Sequence, residues 1–245
     1  MKPVRQNAKN LLRQVLEQRL ALSPYVSVVD ARHDLVQAGG KVLPATLKRY
    51  LHELTKARFI SGSGRGWYSS LSSPFVLQTQ PVSELAVLLQ KQFRFLRFAC
   101  WSTDQVKPFM QHLLTRDIQF VSAESHTLVS LGEFLESRGF AVFVNPTKTE
   151  ARRFVHLKER TLVLRPSHTK EPAGHPFARI EKILVDLRVE VNCLNLMDIR
   201  EFQLLANAVI RQGRVQVATL IRYAEARLLA VEDMFGNEES TNAKL

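Results

Sequence analysis

Apolar residues recur at three- and four-residue spacing through the first quarter of the chain. Leu11, Leu12, Val15, Leu16, Leu20 and Leu22 put one apolar stripe on a helix over residues 4–22, which Ser23-Pro24 stops. Residues 26–29 read as a short strand. Asp30 is placed to cap a second helix through about Ala38, ended by Gly39-Gly40. Pro44 suits the first turn of a third helix over residues 43–57, where its missing N–H goes unused. In that helix Leu47, Tyr50, Leu51 and Leu54 follow at i, i+3, i+4 and i+7, and Thr46, Lys48, Arg49, His52 and Lys56 fall on the other face. A short strand over residues 58–60, a glycine-rich tip carrying Arg65, and Trp67-Tyr68 complete the order helix, strand, basic tip, strand. That order predicts the second half of a winged helix-turn-helix.

Residues 71–83 are rich in Ser, Pro, Gln and Thr and read as a linker, with Phe75-Val76-Leu77 free to dock on either side. From residue 84 the period alternates. Helix 84–92 leads to strand 93–100, helix 103–114, strand 118–122, helix 126–137, strand 141–144, helix 147–154 and strand 161–164. Strands alternating with helices of about ten residues indicate βαβ units and a mixed or largely parallel sheet. The proline-containing loop 166–176 precedes a helix over 177–192, with Ile180, Ile183, Leu184 and Leu187 on one face. Helices over 198–212 and 215–231 close the chain, and residues 236–245 read as a polar, flexible tail. The expected architecture is α/β (α+β overall): an N-terminal winged helix over residues 1–70, and an α/β domain with C-terminal helices over 84–235.

Charge sharpens the reading. The 245 residues carry a net charge of +11. Residues 1–70 hold 12 lysines and arginines against 4 acids, an excess of +8, which leaves +3 for the rest. A polyanion suits the N-terminal part. Lys41, Ala45, Thr46, Lys48, Arg49, His52, Lys56, Arg58 and Arg65 are the candidate DNA-contact residues. The first part of the helix is placed to read bases and the remainder to contact phosphates. The bland alternative is a solvated basic face. Cys100 and Cys193 are isolated and form neither a disulfide framework nor a metal quartet, which fits a reducing cytoplasm. No apolar run approaches the length of a membrane span.

The N-terminal winged helix, the segment Ala99-Cys100-Trp101-Ser102-Thr103, the segment Val144-Asn145-Pro146-Thr147, and residues 180–187 followed by helices make the chain similar to the AbiEi-type antitoxins of abortive-infection toxin–antitoxin systems. The likeness spans residues 8 to 230. It implies a bacterial repressor of its own operon that binds an inverted repeat in double-stranded DNA; because a single winged helix buries little DNA, two copies on that repeat are expected. It further implies a C-terminal domain, related to the restriction-endonuclease-like α/β fold, that counteracts a nucleotidyltransferase-like toxin.

Catalysis finds little support in the residues. A metal-dependent nuclease needs carboxylates and a lysine on adjacent strands, and strands 141–144 and 161–164 carry no acid. Glu124 and Glu133 read as solvated, and Glu181 and Asp186 lie five apart on one helix, where Glu181-Lys182 could pair with a neighbour. His156, His168 and His175 are spaced irregularly for zinc. Residues 62–66 are glycine-rich but lack the Gly-Lys-Ser/Thr ending of a P-loop. Trp101-Ser102-Thr103 could line a pocket, but Ser102 or Thr103 is better used as a helix cap. No cofactor or metal is expected, and no enzyme. The competing readings are an accessory interaction protein of a defence or mobile-element system, and a degenerate or active nuclease.

Overall fold

The structure is a computed structural model, and it describes residues 3–112, 117–154, 160–172 and 174–235; the side chains of residues 3–7, 153 and 154 are not among them. His156, Leu114 and the tail 236–245 lie outside the described residues. The chain divides into two compact units: residues 1–75 with 210–219, and residues 76–209 with 220–245. The first holds 14 lysines and arginines against 4 acids, so +10 of the +11 resides there.

In the first unit α1 (Pro3–Leu22), β1 (Tyr25–Ser27), α2 (Val28–Gln37), α3 (Pro44–Lys56), β2 (Ser61–Gly62) and β3 (Trp67–Ser69) follow in that order. The three strands form an antiparallel sheet, β1-β3-β2. Leu12 and Leu16 of α1 close on Leu47, Tyr50, Leu51 and Leu54 of α3, with Val26, Leu35 and Ile60 completing the core. Each such side chain contributes about 1.5–3 kcal/mol of burial, which is why the apolar stripes fixed the helix faces.

Two expectations change here. Ser27, not Asp30, caps α2: its Oγ accepts from the Asp30 N–H at 3.0 Å. Ser at this position satisfies an orphan donor one turn earlier, so the helix starts at Val28. The strand placed over 58–60 is instead the closing turn of α3. Arg58 adopts φ +58°, and the Phe59 N–H returns to the Leu54 carbonyl at 3.0 Å. This Schellman closure consumes three residues, and pairing begins only at Ser61.

The second unit is built on a four-stranded sheet of order β4-β5-β7-β6: β4 (Phe98–Ser102), β5 (Ile118–Ala123), β6 (Ala141–Val144) and β7 (Thr161–Pro166). β5, β7 and β6 are parallel and β4 is antiparallel to β5, so the sheet is mixed. α4 (Gln80–Gln92) and α5 (Leu128–Ser137) cover one face through Val82, Leu85, Leu89, Leu131 and Leu135, against Phe98, Cys100, Val121, Leu162 and Leu164. The intervening residues Trp101, Phe120, Ser122 and Arg165 look the other way, toward α7 (Ile180–Leu194). α6 (Lys148–Phe154), α8 (Ile199–Gln212), α9 (Val217–Ala226) and α10 (Val231–Phe235) complete the helices named here.

Several boundaries moved for local reasons. α4 begins at Gln80, inside the stretch read as linker, and Val82 is fully buried. The apolar run from Phe93 is a turn before it is a strand: the Leu96 N–H reaches the Phe93 carbonyl at 3.1 Å, and β4 starts at Phe98. After β4 the chain forms a 3-10 helix over Thr103–Phe109, with Ser102 as its cap. The helix expected from residue 177 starts at Ile180. Residues before it bridge to β4, with the Cys100 N–H on the Pro176 carbonyl at 2.8 Å and the Ala178 N–H on the Cys100 carbonyl at 3.0 Å. The last expected helix is split by Leu228, at φ +58°, where the Leu229 N–H closes on the Ala224 carbonyl.

Candidate nucleic-acid interface

α3 owes its orientation to the buried stripe, which leaves Ala45, Lys48, Arg49, His52 and Lys56 exposed and Thr46 half-buried. Lys41 is exposed ahead of the helix and Arg58 just after it. The structure therefore brings the nine candidate residues onto one helix, its two flanks and one hairpin tip. The face is less basic than a count suggests. Glu53 lies one turn past Arg49, with 3.7 Å between Nε and Oε1, and takes the Lys9 ammonium at 2.6 Å. The Lys9 hydrogen bond holds the Glu53 carboxyl below its ordinary range. Lys48, His52 and Lys56 have no ion-pair partner among the described residues.

The hairpin tip is shaped by its glycines. Gly64 and Gly66 take φ +96° and +79°, conformations costly for other residues, and they bend the chain so that Arg65 projects exposed between them. The Ser63 N–H pairs with the Trp67 carbonyl at 2.9 Å. Ser63 itself is fully buried, and its hydroxyl donates to the Val215 carbonyl. A Cβ on Gly64 would stand 2.7 Å from that of Ala218. The tip is thus held at its base by residues 210–219. That strap is secured elsewhere too. The Tyr25 hydroxyl donates to the Gly213 carbonyl at 3.2 Å and accepts from the Val215 N–H at 2.9 Å. The strap also adds exposed Arg211 and half-buried Arg214 to the unit's positive charge. Local periodicity offers no signal for a pairing between residues about 150 positions apart.

The residues weighed for catalysis are gathered differently in the second unit. Lys182 is 1 % exposed and donates to Asp186 Oδ2 and Glu171 Oε2, both at 2.7 Å. Asp186 Oδ1 accepts from the Tyr223 hydroxyl at 2.7 Å and from Arg227 at 2.8 Å. Arg165 grips both Glu190 oxygens at 2.7 Å. Burial opposes charge on Lys182, but Asp186, Tyr223 and Glu171 outweigh it and raise its pKa above the usual lysine value. Burial likewise pushes Glu190 up against the pull of Arg165. Three cations meet three carboxylates, so the network is charge-balanced. Stacked Trp101 and Phe120, with ring centroids 4.1 Å apart, floor this network. Glu181 is also buried, while Glu124 and Glu133 are exposed. His175 Nδ1 lies 3.0 Å from the Phe98 carbonyl oxygen and His168 packs edge-on to Tyr223, so the two do not converge. Among the described residues no group of three His, Cys, Asp or Glu is placed to hold a metal ion. No helix of the described residues is long and apolar enough to cross a membrane.

Taken together, the fold is a mixed α/β protein of two units, one strongly basic and one nearly neutral. Residues 46–234 match a family of unknown function (DUF6577), and the chain belongs to that family. No curated protein matches it.

Proposed function

We propose that the chain is a sequence-specific DNA-binding transcriptional repressor, and that its basic unit is a winged helix-turn-helix whose α3 enters the major groove. The observation that carries this reading is the placement of Lys48, Arg49, His52 and Lys56 on the solvent face of α3, with Arg65 held on a braced tip of the same +10 unit. A helix of this kind fits the major groove, and a tip arginine suits a phosphate or the minor groove. The likeness to AbiEi-type antitoxins extends the proposal to repression of its own operon and neutralisation of a nucleotidyltransferase-like toxin in a bacterial cytoplasm. A single module buries little DNA, so two copies occupy an inverted repeat. The second unit is read as a regulatory body rather than an enzyme, because Asp186 and Glu190 are spent on ion pairs.

The test is a mobility-shift titration on the DNA upstream of the chain's own gene, against a scrambled duplex, at two salt concentrations. A preference of about a hundredfold surviving physiological salt is expected. Arg49→Ala and Arg65→Ala should each lower the salt slope by about one. Equal binding to both duplexes, or two variants that bind like the wild type, would overturn the assignment.

A further inference from the structure

The turn after α4 has a composition that its own geometry does not call for. The Leu96 N–H closes on the Phe93 carbonyl, which makes Arg94 and Phe95 the central residues of a β-turn. Such positions favour Pro, Asn, Asp and Gly, which preset or tolerate the backbone. Phe93 and Leu96 both pack on the core of the second unit, and Phe93 meets Phe134 edge-on at 5.3 Å. The two anchors fix the turn and leave Phe95 outside, 99 % exposed. Leaving a phenylalanine in water forgoes the favourable burial of its ring. Lys91, Arg94 and Arg97 lie within four positions of it in the chain, all exposed, and none has an ion-pair partner among the described residues. Lys91 and Arg94 also complement the carboxyl-terminal dipole of α4. That accounts for positive charge at this site but not for an aromatic ring held outward at its centre.

We propose that this turn is a single-stranded nucleic-acid contact, in which Phe95 stacks on an unpaired base while Arg94, Arg97 and Lys91 engage the flanking phosphates. An exposed ring with exposed cations before and after it in the chain is the pairing that single strands require: the ring is tolerant of base identity and the guanidinium forks match phosphate oxygens. Paired bases are poorer targets, since a wedge must first unstack them. A lipid surface is poorer too, because one phenylalanine supplies too little apolar area for stable insertion. The inference is independent of the operator reading and uses different residues.

The experiment is fluorescence anisotropy of the full chain with a labelled oligothymidylate of about 12 nucleotides, a length within the usual range of such sites. Phe95→Ala should weaken binding by about 5- to 150-fold, the equivalent of about 1–3 kcal/mol of stacking. Phe95→Trp should retain it, which separates stacking from loss of fold. Arg94→Ala and Arg97→Ala should each reduce the salt slope by about 0.7. Arg49→Ala should leave oligothymidylate binding unchanged while it weakens the operator complex, so failure of either proposal is visible without the other. Four results would overturn the proposal: no binding by the wild type, a Phe95→Ala variant that binds equally well, loss of binding only on Arg49→Ala, or dependence on Phe95 for anionic vesicles but not for the oligonucleotide.

Discussion

Asp186→Asn removes the centre of the buried network with almost no change in shape. Asp186 accepts three hydrogen bonds, from Lys182 at 2.7 Å, Tyr223 at 2.7 Å and Arg227 at 2.8 Å. An asparagine keeps one acceptor oxygen and turns an amide donor toward the remaining donors. Lys182, still almost fully buried, is left with Glu171 as its one carboxylate partner among the described residues. Breaking a buried pair by removing one partner costs about 3–5 kcal/mol, because the surviving charge stays desolvated. Against a domain stability of about 5–15 kcal/mol this is a large fraction. The assay is urea unfolding followed by Trp101 fluorescence in a Trp67→Phe background, since Trp101 stacks on Phe120 beside the network. The midpoint should fall with an unchanged slope. The double variant Lys182→Met/Asp186→Leu should not recover the loss, because it also removes the cation paired with Glu171 and the acceptor of Tyr223 and Arg227. A loss below about 1 kcal/mol in Asp186→Asn, or a double variant as stable as the wild type, would refute this account.

Two further outcomes follow from single residues. Burial pushes the Cys100 thiol up to about 12 from 9.0. Its folded pKa is raised, so its contribution is intact below about pH 9 and is lost progressively as pH climbs toward 12; at pH 10 the loss is about 1.4 kcal/mol. Urea unfolding of Cys100→Ala at pH 8 and pH 10 should show a drop smaller than the wild type's by that amount, and equal drops would contradict it. Arg58→Gly removes a left-handed arginine at φ +58°. The relief of about 1–2 kcal/mol is partly offset by about 0.4–1 kcal/mol of added chain entropy, so a net gain of about 0.5–1 kcal/mol is expected in thermal or urea unfolding. Operator affinity should fall in the same variant, and a protein that is less stable would contradict the backbone argument.

Much of the local architecture was legible because it follows from periodicity. The stripe Leu47, Tyr50, Leu51, Leu54 determines which face of α3 is buried, and so which of Lys48, Arg49, His52 and Lys56 meet solvent. The strand Ala141–Val144 falls where the alternation places it. Apolar content alone did not separate strand from turn at Phe93, where two core side chains come from a bend rather than an extended run. Nor did it show that Arg58 closes a helix, since arginine is not a residue that announces a left-handed position.

What sequence by itself determined is therefore most of the helices, their buried faces and the concentration of positive charge in residues 1–70, all of which depend on neighbours within a few positions. Only tertiary structure decided that residues 210–219 brace the hairpin tip through Ser63 and Tyr25. It also decided that Lys182, Asp186, Tyr223 and Arg227 neutralise one another in the second unit. These contacts join positions far apart in the chain, and their partners are chosen by packing and by the need to pair every buried charge, which no local spacing encodes.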